Sequence, residues 1–410
     1  MNRSIAKKVF LFSALLFASA PFFAHAAVKS APLEISGWLP YWRVATSTAD
    51  VLPRLSLLTS VMPFGYTVRN DGTLYDAYGL GSPTSSTTPL ALALITAAKQ
   101  KKVRVVPTIM WSNGAAIHAI LSNKKTRIAL EDRIAALAKS QKFDGIGIDF
   151  EGKYAKTKPY FSLFLQGLYQ RMGNKWVYCA IEARTPVSDR YDGTPPPDAT
   201  EYANDFAALN KYCDRVQFMT YDQQTVDVTL NKAANGAPYI PIADTKWVEK
   251  TITLAAKTIS KKKIEIGVAT YGYEWEVTPL SESGFRYDLQ WAFNPRYALD
   301  LAASLGITPT RNSAGEMSFL YTPTTTPLDG RETVPVQDTQ TVATTATFSD
   351  VATAGPLKFT APAQNILWWS DAQAIQDKIT LAKKLGVRGI AIFKLDGGED
   401  QRLWEILANK

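Results

Sequence analysis

Asp149 and Glu151 stand two positions apart at the end of residues 143–151, Phe-Asp-Gly-Ile-Gly-Ile-Asp-Phe-Glu, an otherwise apolar run. In an extended strand, successive side chains point to opposite faces, so Gly147, Asp149 and Glu151 share one face and Ile146, Ile148 and Phe150 the other. A rise of about 3.3 Å per residue puts the two acids roughly 6.5 Å apart along the backbone, close enough for one charge to disturb the other's proton. Such a pair suits general acid and base work. Many strands simply finish in solvated acids. Here the apolar alternate face is complete, and Gly145 and Gly147 leave the acidic face open to an approaching molecule.

Little else in the chain offers nucleophiles or metal ligands. Only two histidines occur, His25 and His118, which leaves no material for a serine or cysteine triad or a histidine-rich metal site. Chemistry must rest on carboxylates and tyrosines, with neither metal nor organic cofactor expected. Cys179 and Cys213 are the only cysteines. They lie in or beside consecutive strands, where a disulfide is open but not required by the sequence.

The elements that position the acids follow from periodicity. Eight short apolar strands are expected: Leu33 to Leu39, Ser60 to Gly65, Val103 to Met110, Phe143 to Glu151, Trp176 to Ile181, Arg215 to Tyr221, Ile264 to Tyr271 and Arg388 to Phe393. Between them, Leu130, Ile134 and Leu137 keep helical spacing, as do Phe161, Leu165 and Leu168, and Ile375, Ile379 and Ala382. Gly386 is placed to end the last of these helices. Strands alternating with amphipathic helices imply parallel pairing, and eight units close into a (β/α)8 TIM barrel; a doubly wound open sheet is the alternative. The rhythm fails between Trp275 and Trp368. Residues 276–370 are therefore expected to form a small α+β insertion between strands seven and eight, with a loose loop around 322 to 357.

In a parallel barrel the working face lies at the C-terminal ends of the strands. Trp38 and Tyr41 close strand one, Trp111 strand three, Glu182 and Arg184 strand five, Gln217, Met219, Tyr221 and Asp222 strand six, and Tyr271, Tyr273 and Trp275 strand seven. Aromatic rings beside a few carboxylates are what a carbohydrate site needs, because sugars present apolar C–H faces and hydroxyl edges. Trp368 or Trp369 is a further candidate for the cleft wall. The basic clusters at 99–102 and 261–263 precede strands three and seven and read as solvated faces at the opposite end.

The first 26 residues have the form of an export signal: Arg3, Lys7 and Lys8 precede an apolar run from Val9 to Ala20, and Ala24, His25 and Ala26 supply a cleavage site. The run is shorter than the roughly 20 residues a membrane span needs. The mature protein, residues 27–410, is expected to be secreted, periplasmic or associated with the cell envelope, with no transmembrane segment. Cleavage removes three of the basic residues behind a formal charge of +8. The remainder is too small and dispersed to argue for nucleic acid, and the oligomeric state is not readable.

The segment from Asp144 through Gly147 and Asp149 to Glu151 resembles the Asp-x-x-Asp-x-Asp-x-Glu signature of glycoside hydrolase family 18. Residues 217–222 resemble the family's sixth-strand motif, Gly267 to Trp275 its seventh strand, and the insertion before strand eight is a family habit. Within the family the chain most resembles spore-cortex and cell-wall N-acetylglucosaminidases, through residues 63–67, 71–74 and 368–371. The resemblance implies hydrolysis of β-1,4 links after N-acetylglucosamine in peptidoglycan or chitin, with the substrate's acetamide as nucleophile. Glu151 would be the acid and base, Asp149 would orient the acetamide, Tyr221 would hydrogen-bond its carbonyl, and Asp222 would hold the sugar. Gln217, Met219, Trp38, Tyr41, Trp111, Glu182, Tyr271, Tyr273 and Phe393 would line the substrate. Two departures stand out: Gly147 replaces the signature's second Asp, and Phe393 stands where the family usually has Trp. The alternative function is a sugar-binding protein of lectin type that kept the barrel and lost hydrolysis.

Overall fold

The computed structural model describes residues 32–81, 88–280, 284–323 and 364–410. The signal-like segment 1–26 and most of the expected loop at 322–357 lie outside the described residues. Eight parallel strands close a ring: β1 (Glu34–Pro40), β2 (Ser60–Val68), β3 (Thr108–Trp111), β4 (Gly145–Phe150), β5 (Trp176–Glu182), β6 (Arg215–Met219), β7 (Ile264–Ala269) and β8 (Gly389–Phe393). Closure is made by β1, which pairs in parallel with both β2 and β8. The expected third strand is broken. Arg104–Val105 pairs with β2, then the chain resumes at Thr108 beyond Pro107, which has no N–H to give a ladder.

The helices form where the apolar spacing required. Leu130 and Ile134 are buried from the helix Lys124–Ser140, and Phe161, Leu165 and Leu168 from Lys158–Met172. The helix Ala372–Leu385 buries Ile375, Ile379 and Ala382 and ends at Gly386, whose φ of 68° is the left-handed conformation that glycine adopts without a Cβ clash. Among the described residues, no helix is long and apolar enough to cross a membrane.

The barrel interior is polar at its N-terminal end. Glu34 accepts from Arg215 at 2.6 and 2.8 Å and from Arg388 at 2.6 Å, and pairs with Arg104 at 3.0 Å. Burial would raise this carboxyl, but the arginines outweigh it and hold its pKa at about 2. Above this layer Gln217 donates to Glu265 at 2.8 Å. Cys179 in β5 and Cys213 just before β6 are joined as a disulfide, with Cα atoms 6.0 Å apart.

Between β7 and β8 the chain builds a second sheet of five antiparallel strands: Gly272–Pro279, Phe285–Phe293, Thr310–Arg311, Met317–Tyr321 and Gln364–Trp369. The helix Pro295–Ser304 lies between the second and third of these. Its first strand starts at Gly272, four residues before the composition changes. Glu274 ties the sheet together, accepting from Trp291 at 2.5 Å, Tyr321 at 2.5 Å and Asn365 at 2.6 Å.

Candidate active site

Strand parity carries Asp149 into the barrel mouth. Thr108, Gly147 and Tyr178 lie side by side in register, and Asp149 follows two residues later beside Met110 and Ala180. Glu151 is just past the end of β4, yet its N–H still donates to the Trp111 carbonyl at 2.8 Å, so it keeps the inward phase of the strand. Asp149 is buried and its Oδ1 has no partner. Burial, followed by the charge of Glu151, raises the Asp149 carboxyl well above the usual range. Burial, followed by the charge of Glu182, pushes Glu151 up to about 7, while Lys153 pulls it down. The two carboxyls are in hydrogen-bond contact, which favours the proton on Asp149.

Gly147 gives Asp149 no neighbouring acid. A Cβ added there would sit 3.0 Å from Thr108 Oγ1, which already accepts from Trp38 Nε1 at 3.0 Å. The signature's missing carboxylate therefore has little room on this backbone.

Across the mouth, Tyr221 stacks on Phe393, with centroids 5.6 Å apart and planes at 18°. Its ring fits because β7 has glycine opposite: a Cβ on Gly267 would stand 3.0 Å from Tyr221 Cε1 and 2.2 Å from the Phe218 carbonyl oxygen. Burial, then the charge of Asp149, raises the Tyr221 phenol, so it stays a neutral donor. Asp222 has a left-handed backbone with φ of 57°. Its Oδ1 accepts from the Tyr271 and Tyr273 hydroxyls at 2.7 and 2.9 Å. Met219 pairs in register with Glu182, and Tyr41 stands edge-on to Trp42 at 4.9 Å in the turn after β1.

Lys153 has no counterpart in the sequence reading. The chain turns at Gly152, with φ of 64°, and buries the Lys153 side chain under the site. Its Nζ donates to the Phe150 carbonyl and to Glu182 at 3.2 Å. Burial alone would raise Glu182, but Lys153 and Asn204, the latter at 2.7 Å, lower it below the ordinary value. A turn on a left-handed glycine breaks the alternation that parity relies on, so neither Lys153 nor Asn204 could be placed by counting.

Several expected contacts are corrected. Trp111 pairs with Phe150 and meets its ring edge-on at 5.4 Å, on the helix-facing side of the strand; Met110 has the inward phase. Gln217 is buried deep in the barrel, bonded to Glu265 and near Met62 Sδ at 3.2 Å, below the mouth rather than in it. Trp38 is 2 % exposed and meets Phe393 edge-on at 6.0 Å, so it supports that ring from beneath. Trp368 and Trp369 are both buried and form no cleft wall; Trp368 Nε1 donates to Glu316 at 2.8 Å.

A parallel barrel whose mouth gathers a carboxyl pair, a neutral phenol and stacked aromatic rings is the framework of a glycosidase. The chain belongs to glycosyl hydrolases family 18, whose pattern matches residues 38–398, and is a glycoside hydrolase. It is similar to the uncharacterized glycosylase YvbX of Bacillus subtilis (strain 168), with 24% identity over 321 residues, 76% of each chain. Among solved structures, the Bacillus megaterium QM B1551 spore cortex-lytic enzyme SleL matches with a TM-score of 0.65 and 22% identity, over 93% of this chain and 75% of that one. A chitinase from Chromobacterium violaceum ATCC 12472 matches with a TM-score of 0.65 and 18% identity, over 92% of this chain and 98% of that one. At these identities the structural likeness is one of fold.

Proposed function

We propose that this protein is an exported enzyme that cuts the β-1,4 link following N-acetylglucosamine, with peptidoglycan as substrate ahead of chitin, by a retaining and substrate-assisted route. The observation that carries the reading is the Asp149–Glu151 pair on the inward phase of β4, with Asp149 buried and Tyr221 in the same mouth. In the resting site the proton rests on Asp149. With substrate bound, the Asp149 carboxylate accepts the acetamide N–H and Glu151 carries the proton. Glu151 gives it to the glycosidic oxygen as the acetamide carbonyl oxygen attacks C1 and the C1–O bond breaks. Tyr221 donates to the acetamide carbonyl, and Asp222, fixed by its two tyrosines, holds the sugar. Water then attacks C1 of the oxazolinium ion and gives a proton to the Glu151 carboxylate, restoring both groups.

Export rests on the signal-like first 26 residues and fits the disulfide, which persists in oxidising compartments. The preference for peptidoglycan rests on the likeness to a spore cortex-lytic enzyme. The test is release of reducing ends from purified peptidoglycan and from chitin oligosaccharides, by the mature protein and by Glu151→Gln. Release that disappears in the variant supports the reading and selects the polymer. Binding without release by the unaltered protein would replace it with the lectin reading.

A further inference from the structure

We propose that Arg184 and Arg190 form an anion site on the leaving-unit side of the cleft, which takes a carboxylate carried by the saccharide beyond the scissile bond. The proposal rests on the glycosidase reading above. It begins where β5 ends. Glu182 is held by Lys153 and Asn204, and its carbonyl accepts from the Tyr202 hydroxyl at 2.5 Å. The segment 183–204 therefore leaves the barrel and returns to the same strand end. Within it the Arg184 guanidinium lies over the Tyr202 ring at 4.5 Å, and the Arg190 guanidinium over Tyr191 at 5.2 Å. Both donate to one oxygen, the Ala199 carbonyl, each at 2.6 Å.

Two cations on one carbonyl repel each other unless an anion answers them. Among the described residues none does. Asp189 is engaged by Lys250 and Asp192 by Lys232, each at 2.7 Å, and Asp205 caps the helix Phe206–Tyr212. Glu182 is taken by Lys153, and the exposed Asp198 and Glu201 form no ion pair with either arginine. Arg190 Nε is buried without an acceptor. Planar guanidiniums held over phenol rings, with free donors, are arranged for a carboxylate.

Direction follows from the chemistry. Glu151 gives its proton to the departing oxygen, so the leaving unit lies on its side of the mouth. β5 pairs directly with β4, so its end, with Glu182, stands beside Glu151 at the mouth. Tyr221, Asp222, Tyr271 and Phe393 hold the other side. A polymer of N-acetylglucosamine alone offers this site nothing. A glycan whose alternate units carry a lactyl carboxylate, or a peptide ending in one, does.

The experiment compares kcat/KM for the unaltered protein, Arg184→Gln, Arg190→Gln and Arg184→Lys on three substrates: peptidoglycan strands with stem peptides, strands freed of peptide but keeping the lactyl carboxylate, and chitin oligosaccharides. Each Gln variant should lower the ratio of charged to neutral glycan cleavage about ten-fold or more through KM, and Arg184→Lys should recover part of it. Loss on both charged substrates assigns the lactyl group; loss confined to peptide-bearing strands assigns the peptide carboxylate. An unchanged ratio in variants that melt like the unaltered protein overturns the site. If the unaltered protein cuts none of the three, the glycosidase reading fails separately. The arginines are then judged by calorimetric binding of the same glycans to Glu151→Gln, where a further Arg184→Gln that leaves charged binding intact overturns the proposal.

Discussion

Replacing Glu151 by Gln should stabilise the fold at neutral and alkaline pH, in addition to removing activity. The folded site raises this carboxyl from its ordinary 4.5 to about 7. A carboxyl with a raised folded pKa contributes its stability below the unfolded value and loses it as pH climbs through the folded one. The loss therefore runs from about pH 4.5 to about pH 7 and is complete above that. At about 1.4 kcal/mol for each pKa unit, the full difference is about 3 kcal/mol. Glutamine has nearly the shape of the protonated acid and never acquires the charge. Unfolding entropy of about 2.1 cal/mol/K per residue converts that energy to roughly 4 °C in Tm for a domain of about 380 residues. Scanning calorimetry of both proteins at pH 4, 6 and 8 checks this: the curves should coincide at pH 4 and separate progressively, with the variant higher. A variant less stable at pH 8, or a gap independent of pH, would refute the claim that burial and Glu182 strain the charged acid.

Three further outcomes follow from the same geometry. The rate profile of kcat/KM should rise on its acid side near pH 7, where the pair sheds the Glu151 proton and keeps the single one on Asp149 that the reaction uses, and a limb near pH 4.5 would mean an unperturbed acid. Replacing both Cys179 and Cys213 by Ala opens a loop with a sequence separation of 34 and should cost about 4 kcal/mol by chain entropy, read from urea unfolding at equal slope. Glu34→Gln leaves three arginines around a neutral group and should cost about 3 kcal/mol or more at pH 7. Because Glu34 is depressed to about 2, its contribution is present above pH 4.5 and lost as pH falls towards 2, so the gap between variant and unaltered protein should narrow in acid.

Strand alternation made much of this architecture legible. The apolar runs announced all eight barrel strands, and parity put Asp149 and Glu151 on the inner face because β4 stays regular to its end. The same rule misled where only residue type was weighed. Trp111 reads as a sugar platform by chemistry, but its phase is that of Phe150, and the strand turns it to the helices. Gln217 belongs to the right motif yet sits a layer below the mouth, where Glu265 needs a donor in a buried setting. Trp368 and Trp369 pair with Tyr273 and Gly272, so the insertion's own sheet covers both, a pairing that composition does not specify. Lys153 and the arginines at 184 and 190 depend on irregular backbone, which carries no period to read.

If the acetamide attacks while Glu151 supplies the proton, configuration at C1 is kept. Proton NMR of the first product released from an N-acetylglucosamine oligosaccharide measures this directly. Initial formation of the β-anomer, relaxing later by mutarotation, is the predicted result. Initial appearance of the α-anomer would mean direct attack by water and would contradict the roles given to Asp149, Glu151 and Tyr221.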